Sequence, residues 1–380
     1  MKKKRIGILT GGGDCPGLNA AIKWVVYGAI CHSVPDPNHP FEVIALKEGW
    51  EGVLRLDPKK GLKDKRYVQV LSPPVVRKID RDGGTAIGTS RTNPFSMKDK
   101  KGKKHDESAT VARNLEILGL DALIVLGGED TLGVASRLYE RYGIPVVGIP
   151  KTIDLDLPGT DYSLGFDSAV NNIKVLVDRA RTVVGSHRKT GVIEVMGRHS
   201  GFLALAGGIV SSAHFILIPE CVFELSKLID LIKARARSQS RYTLVVVAEG
   251  AKEKGGRIVA QRQETDAFGH IHLGGIGEIL ADQITARTGL ETISEKLGYL
   301  QRGGDPSAFD AKMGYYFGIT AVHMVARKEY GKMVCVLQGT ITTAPLSVLN
   351  NPARVVDVDQ MYDRGRLNAR RDSAMNWLVN

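Results

Sequence analysis

The residues best suited to chemistry lie in two short polar segments, Gly127–Thr131 and Pro150–Asp156. Each follows an apolar run typical of a buried parallel strand, Asp121–Leu126 in the first case and Ile144–Ile149 in the second. Ligands of open α/β sheets bind outside the carboxyl ends of the strands, so the two segments are expected to meet in one crevice. Together they carry four carboxylates, one lysine and two threonines. Phosphoryl transfer needs such a set, because carboxylates hold Mg²⁺ or take a hydroxyl proton and a cation meets phosphate oxygens.

A glycine-rich turn, Gly11–Gly17, lies between a predicted strand, Arg5–Thr10, and a predicted helix, Leu18–Ile30. Free backbone N–H groups and the helix dipole make such a turn suitable for anions. The turn lacks the dinucleotide-binding fingerprint because Pro16 replaces its third glycine, and it lacks the Gly-Lys-Ser/Thr ending of a P-loop. A turn of this kind can also simply connect a strand to a helix, so on its own it is weak evidence.

Two further loops carry an arginine beside small residues. Arg91 lies near the end of loop Gly83–Thr92, where its guanidinium either clamps a phosphate or lies on the surface. Arg198 follows the predicted strand Gly191–Met196 on another glycine loop. Glu249 also follows a predicted strand, and it either accepts hydrogen bonds from sugar hydroxyls or caps the next helix.

Composition limits the function classes. The chain has 380 residues, of which 43% are hydrophobic and 24% charged, as expected for a globular protein, and its length suggests about two or three domains. The net charge of +11 fits nucleic-acid binding or anionic small ligands, and the lack of a nucleic-acid motif favours the second. No apolar run reaches the roughly 18 residues of a membrane helix. The four cysteines lack metal or redox spacing, which indicates a reduced, cytoplasmic protein.

Strand and helix patterns alternate along the chain, which predicts an α/β fold with parallel sheets. The strand candidates favour two doubly wound parallel-sheet domains that face an active-site cleft. The polar segment Gly159–Asp167 is predicted to be the hinge between them, followed by a long helix over about residues 168–184. Gly49–Gly52 is predicted as a turn, and the helix after the first polar segment is predicted to begin near Leu132.

The order and spacing of these motifs resemble the phosphofructokinase family. Any one motif is common, but together they span about 300 residues. They are Gly11–Ala21, Gly127–Thr131, Pro150–Asp154, Gly159–Asp161, Glu194–Arg198, Pro219–Glu220 and Gln301–Gly304. The resemblance implies Mg²⁺-dependent phosphoryl transfer to a sugar phosphate by a homodimer or homotetramer. It also implies a donor-binding domain (1–165 plus about 301–350) and a sugar-phosphate-binding domain (166–300 plus about 351–380).

The resemblance implies a role for each matching residue. Asp154 is expected to take the proton from the sugar 1-hydroxyl, Thr152 to orient that hydroxyl or the transferring group, and Arg198 to lie near the reacting groups. Glu129 corresponds to a Mg²⁺-associated carboxylate. The expected donor contacts are Gly12, Arg91, Asp130 and Lys151. The expected acceptor contacts are Asp156, Lys189, Met196, Gly197, Glu249, Tyr299 and Arg302.

Two positions predict the phosphoryl donor. Members that use ATP resemble one another in having glycine where this chain has Asp130 and Lys151. A carboxylate at the first position would repel the α-phosphate and obstruct the nucleoside, whereas a lysine suits compact, highly charged pyrophosphate. We therefore expect reversible transfer from pyrophosphate to fructose 6-phosphate, giving fructose 1,6-bisphosphate and phosphate. The alternatives are ATP as donor, sedoheptulose 7-phosphate as a main acceptor, and a non-catalytic sugar-phosphate sensor.

The departures from the family pattern concern the acceptor. Lys189 and Ile293 stand where the family has two arginines that reach across a subunit interface to the 6-phosphate. Lysine still attracts a phosphate, but isoleucine does not. Leu155 replaces the asparagine of the usual Asp-Asn-Asp, and Tyr299 stands where many members have histidine. The sequence therefore leaves the acceptor preference open.

Overall fold

The computed structural model describes residues 4–30, 41–99, 102–238, 240–256 and 274–371. The α-helices are α1 Leu18–Ile30, α2 Gly49–Arg55, α3 Pro73–Val76, α4 Ser108–Ile117, α5 Glu129–Tyr142, α6 Phe166–Ser186, α7 Phe202–Val210, α8 Leu225–Arg237, α9 Ile276–Thr288, α10 Ala308–Ala326 and α11 Val358–Met361. Short 3₁₀ turns cover Gly61–Lys63, Ile79–Arg81, Pro94–Ser96, Gly298–Arg302 and Leu346–Asn350.

The strands are β1 Arg5–Thr10, β2 Glu42–Leu46, β3 Val68–Leu71, β4 Met97–Lys98, β5 Lys104–His105, β6 Ala122–Gly127, β7 Val146–Pro150, β8 Thr190–Val195, β9 Phe215–Leu217, β10 Thr243–Ala248, β11 Thr292–Lys296, β12 Lys332–Leu337, β13 Thr340–Pro345, β14 Tyr362–Asp363 and β15 Asn368–Ala369. None of the helices in the described ranges is long and apolar enough to span a membrane.

The first sheet has seven strands in the order β13-β12-β7-β6-β1-β2-β3. Its inner strands are parallel, and antiparallel β3 and β13 close the two edges. Successive residues of β1 point to opposite faces, so Ile8 packs with α1 and α10 while Leu9 packs with α2, α4 and α5. Because β1, β6 and β7 run in parallel, their carboxyl ends meet at one edge of this sheet.

The second sheet has four parallel strands in the order β11-β8-β10-β9. Its central strands β8 and β10 are buried along their whole length, as expected for strands covered by helices on both faces. Side chains of α6 and α7 pack on one face, and those of α8 and α9 pack on the other. The predicted α/β fold with parallel sheets is confirmed.

Two local predictions were wrong. Gly49–Gly52 is the start of helix α2, not a turn. Helix α5 begins at Glu129, three residues before the predicted Leu132, so that two carboxylates occupy its first turn. The division into two domains stays a prediction, and the part of its second range beyond Arg371 lies outside the described residues.

Candidate active site

A cleft lies at the edge where β1, β6 and β7 end. It is lined by Gly12, Gly13, Asp14, Arg91, Gly128, Glu129, Asp130, Thr131, Lys151, Thr152, Ile153, Asp154, Asp156, Arg198 and Arg302. The two polar segments, the glycine turn and both arginine loops therefore contribute to a single cleft.

The glycine turn after β1 forms one wall of the cleft. Gly12 has φ +81°, a left-handed conformation that costs glycine little, and its N–H donates to the Ser90 carbonyl at 2.9 Å. The Thr89 hydroxyl donates to the Gly12 carbonyl at 2.8 Å, so the loop that carries Arg91 is fixed to the turn. A side chain at Gly13 would place Cβ 1.8 Å from the Arg302 guanidinium. Glycine is therefore required there for the arginine to approach.

Two buried cations lie against this wall. Lys151 is 4% exposed and its Nζ donates to the Gly13 carbonyl. Burial lowers the pKa of Lys151 to about 8. Arg302 is 9% exposed, and its Nη1 donates to the Asp14 carbonyl at 3.2 Å. Its Nε is buried and has no hydrogen-bond partner among the described residues. Arg302, which we predicted as an acceptor contact, thus also lies on the donor turn.

The segment after β7 carries the candidate base. The Asp154 N–H donates to the Thr152 hydroxyl at 3.1 Å, and Asp154 is 6% exposed. Its Oδ1 is buried without a hydrogen-bond partner in the described ranges, which leaves it able to accept a proton or a ligand. Leu155 has φ +55° although it is not glycine, and its side chain is buried in the core. Burial, followed by the charge of Asp154, raises the pKa of Asp156 to about 7.

The loop after β8 supplies the opposite wall. Arg198 has φ +50°, and its N–H donates to Glu249 Oε1 at 3.2 Å. A side chain at Gly250 would come within 1.8 Å of the Arg198 carbonyl, so this glycine permits the turn. Burial, followed by the charge of Asp154, raises the pKa of Glu249 to about 7. Met196, the first residue of the loop, donates its N–H to Gln301 Oε1 at 3.2 Å.

Two predicted acceptor contacts lie elsewhere in the same chain. Lys189 precedes β8, at the end opposite to the cleft, and forms an ion pair with Glu291. Tyr299 is 72% exposed in the 3₁₀ turn before Arg302. Neither lines the cleft of its own chain, and Met196, Gly197 and Glu249, which lie beside Arg198 in the sequence or contact its N–H, are not among the lining residues either. A contact between Lys189 and a sugar phosphate would need a second copy of the chain, as the family resemblance implies.

Sequence reasoning gave no role to several residues that shape the cleft. A Cβ on Gly11 or Gly127 would come 2.5 or 2.4 Å from the buried side chain of Thr131, so both glycines are needed for Thr131 to pack. The position of Thr131 directly after the two acidic residues was the available signal. Glu220, from the Pro219–Glu220 motif, accepts hydrogen bonds from the N–H groups of Gly201, just before α7, and Val356, each at 2.8 Å.

The carboxylates of the cleft fit a magnesium ion that is shared with a substrate. The described residues hold no group of three or more His, Cys, Asp or Glu side chains that could bind a metal alone. Mg²⁺ is commonly bound by one or two carboxylates together with substrate phosphates. Glu129, in the first turn of α5, provides such a carboxylate beside the glycine turn.

Comparisons with known proteins agree with the geometry. The family model "Phosphofructokinase" matches residues 5–325. A pyrophosphate–fructose 6-phosphate 1-phosphotransferase of Streptomyces coelicolor is 42% identical over 353 residues, covering 93% of this chain and 96% of that protein. An ATP-dependent 6-phosphofructokinase 3 of the same organism is 40% identical, covering 88% and 91%. The crystal structure of a pyrophosphate-dependent phosphofructokinase from Marinobacter aquaeolei superposes with a TM-score of 0.78 at 24% identity, covering 99% of this chain and 90% of that one, which concerns the fold alone.

Proposed function

The chain belongs to the phosphofructokinase family, and from that premise we propose that it transfers a phosphoryl group reversibly between pyrophosphate and fructose 6-phosphate. The products of the forward reaction are fructose 1,6-bisphosphate and phosphate. The enzyme is thus a phosphotransferase with an alcohol acceptor.

The observation that carries this proposal is the pair Asp130 and Lys151 in the cleft lining. The Lys151 ammonium lies beside Gly12 and Gly13, where it would meet the phosphoryl groups of a donor held by the glycine turn. Asp130 lies in the first turn of α5, and its carboxylate would repel a third phosphate and obstruct a nucleoside. Pyrophosphate fits beside both residues, whereas the α-phosphate and nucleoside of ATP would meet the Asp130 carboxylate.

Asp154 is the proposed general base. In the forward direction it takes the proton of the 1-hydroxyl, the sugar oxygen bonds to the terminal phosphorus, and the bond to the bridging oxygen breaks so that phosphate leaves. Thr152 orients the reacting groups, while Arg198, Lys151 and Arg302 offset the negative charge. Glu129 would hold Mg²⁺ together with pyrophosphate oxygens, and the metal would neutralise part of the donor's charge.

The proposed acceptor contacts are divided between two chains. Met196, Gly197, Arg198 and Glu249 contact the sugar from the same chain, and Lys189 reaches its 6-phosphate from a neighbouring chain in a homodimer or homotetramer. Because Ile293 offers no charge to that phosphate, the acceptor site is less selective for fructose 6-phosphate than a pair of arginines would make it. Sedoheptulose 7-phosphate is therefore the second acceptor to test.

A coupled assay tests the proposal. Purified protein receives Mg²⁺ and fructose 6-phosphate with either pyrophosphate or ATP, and parallel wells contain sedoheptulose 7-phosphate. The Asp154→Asn protein, prepared identically, controls for contaminating host kinases. We expect turnover with pyrophosphate and none with ATP. Turnover with ATP alone would refute the donor argument, and turnover with neither donor on either sugar would favour a sensor.

A further inference from the structure

Three alternate main-chain carbonyls of the segment Thr152–Asp156 are each held by a different part of the chain. The Ser163 hydroxyl donates to the Thr152 carbonyl at 2.8 Å. The Ser200 hydroxyl donates to the Asp154 carbonyl at 3.1 Å. The backbone N–H of Arg354 donates to the Asp156 carbonyl at 2.8 Å. The backbone around the candidate base is therefore fixed from outside the segment.

The segment needs such support because its backbone is strained. Leu155, between the two aspartates, has φ +55°, a region that branched and bulky residues avoid. A strained conformation persists only where its surroundings determine it. The Oδ1 of Asp154 adds no support of this kind, since it is buried without a hydrogen-bond partner among the described residues. The main-chain contacts of the segment therefore contribute to the direction of the Asp154 carboxylate.

Ser200 is the anchor that holds the segment of the candidate base to the loop after β8. It is 2% exposed, and its own N–H donates to the Gly197 carbonyl at 2.8 Å. Its loop also carries Arg198, which lines the cleft. The Ser200 hydroxyl thus joins the arginine loop after β8 to the segment that carries the base after β7.

On the basis of the proposed function, we propose that Ser200 is a positioning residue for phosphoryl transfer. Its hydroxyl holds the Asp154 carbonyl, and through it the strained turn at Leu155, so that the Asp154 carboxylate faces the acceptor hydroxyl. Because Arg198 lies on the same loop, a sugar bound there is aligned with the base. Ser200 touches no reacting atom and acts only through Asp154.

The first test compares steady-state kinetics of wild type and Ser200→Ala with pyrophosphate and fructose 6-phosphate. We expect kcat to fall about five-fold, which corresponds to about 1 kcal/mol of activation free energy, while KM for pyrophosphate stays within about two-fold. Ser136→Ala is the matched control, because Ser136 is a buried serine whose hydroxyl bonds Glu140 on α5. An unchanged kcat in Ser200→Ala, or an equal loss in Ser136→Ala, would overturn the proposal.

A double-mutant cycle with Leu155→Asn separates positioning from a general loss of packing. Asparagine tolerates the left-handed conformation better than leucine does. We therefore expect Ser200→Ala to cost less than about two-fold in kcat in the Leu155→Asn background. An undiminished loss there would show that Ser200 does not act through the strained turn.

Amide hydrogen exchange provides a readout that does not require turnover. In Ser200→Ala, the peptide that spans 152–158 is expected to exchange faster than in wild type, with no change in Ser136→Ala. If the wild-type protein shows no turnover with either donor but this difference in exchange appears, the proposed function is wrong while the anchoring of the Asp154 carbonyl by Ser200 is supported. If exchange is unchanged, the anchor itself is wrong.

Discussion

The two walls of the cleft hold their charge in opposite ways. On the glycine-turn wall the buried ionisable group is a cation, Lys151, whose pKa burial lowers to about 8. Behind the loop after β8 lies a buried carboxylate, Glu249, which follows β10 and accepts the Arg198 N–H, and burial raises its pKa to about 7. Each group has been moved towards its neutral form, because a low-dielectric site penalises charge of either sign. The first wall suits an incoming polyanion, and the second suits hydroxyl groups.

The predicted donor and acceptor contacts also differ in how many of them line the cleft of a single chain. Every residue predicted to bind the donor lines the cleft of a single chain, whereas of the seven residues predicted to bind the acceptor only Asp156 and Arg302 line it. A donor site built from one chain can be preorganised by folding alone. An acceptor site that needs Lys189 from a neighbouring chain would form only when the chains associate. The predicted donor and acceptor sites are therefore expected to respond differently to substitution and to dilution of the protein.

The largest effect is expected where the walls meet, at Asp154. Asp154→Asn removes the proton acceptor without changing the size of the side chain. We expect kcat to fall about 1,000-fold in both reaction directions, within the range for loss of a general base. KM for either substrate is expected to change little. Initial rates measured forward and in reverse check this, and a loss smaller than about ten-fold would assign the proton to another group.

The double variant Asp130→Gly with Lys151→Gly is expected to change the donor preference from pyrophosphate to ATP. Removing the cation is expected to lower kcat/KM for pyrophosphate about 100-fold, as for loss of a charge-assisted hydrogen bond. Removing the carboxylate opens a path for a nucleoside triphosphate, so ATP turnover is expected to appear. Asp130→Asn, which keeps the bulk and removes the charge, tells which property excludes ATP. A folded double variant without ATP turnover would contradict the steric account.

Much of the donor wall was predictable because it follows from strand polarity. Once β1, β6 and β7 are recognised as parallel strands, their carboxyl ends must lie together, and the cleft follows without detailed packing. The start of α5 at Glu129 was missed because Gly128, its N-cap, has no side chain to signal a helix start. The contact of Arg302 with the glycine turn was missed because Arg302 and Asp14 lie 288 residues apart in the sequence.

The backbone anchors could not be predicted from sequence for a related reason. Ser200 and Arg354 hold main-chain carbonyls, and any residue type has a carbonyl, so no pattern marks the partner. The left-handed conformation of Leu155 runs against its residue type. Sequence patterns therefore predicted which candidate side chains share the cleft, while the contacts that fix their direction became visible only in the folded chain.

The acceptor wall is tested by complementation between chains. Lys189→Ala is expected to raise KM for fructose 6-phosphate about ten-fold, as for loss of one exposed phosphate contact. If Lys189 contributes to the site of a neighbouring chain, co-refolding the Lys189→Ala chain with the Asp154→Asn chain restores some sites. In those sites Asp154 comes from the first chain and Lys189 from the second. The mixture would then exceed the summed activity of the two variants at low fructose 6-phosphate. Activity equal to that sum would mean that Lys189 does not reach a second chain's site.

The smallest effect is the pH dependence of stability, and it has opposite sign at the two walls. A carboxyl with a raised pKa contributes stability that is present below its unfolded value of 4.5 and is lost as pH rises to about 7. Glu249→Gln keeps an oxygen for the Arg198 N–H and is expected to raise Tm by about 1–3 °C at pH 8 and by less at pH 5.

Lys151→Met is expected to show the opposite pH trend. A lysine with a lowered pKa costs stability below about pH 8, and this cost disappears as pH rises towards 10.5. Its Tm advantage is therefore expected at pH 7 and lost near pH 10, in thermal unfolding followed by circular dichroism. Exposed Glu224, whose pKa is lowered by hydrogen bonding to Lys254, is the control for Glu249, since Glu224→Gln is expected to give no gain at pH 8. If the Tm gains of the two variants instead changed in the same direction as pH rises, the opposition between Glu249 and Lys151 would be wrong.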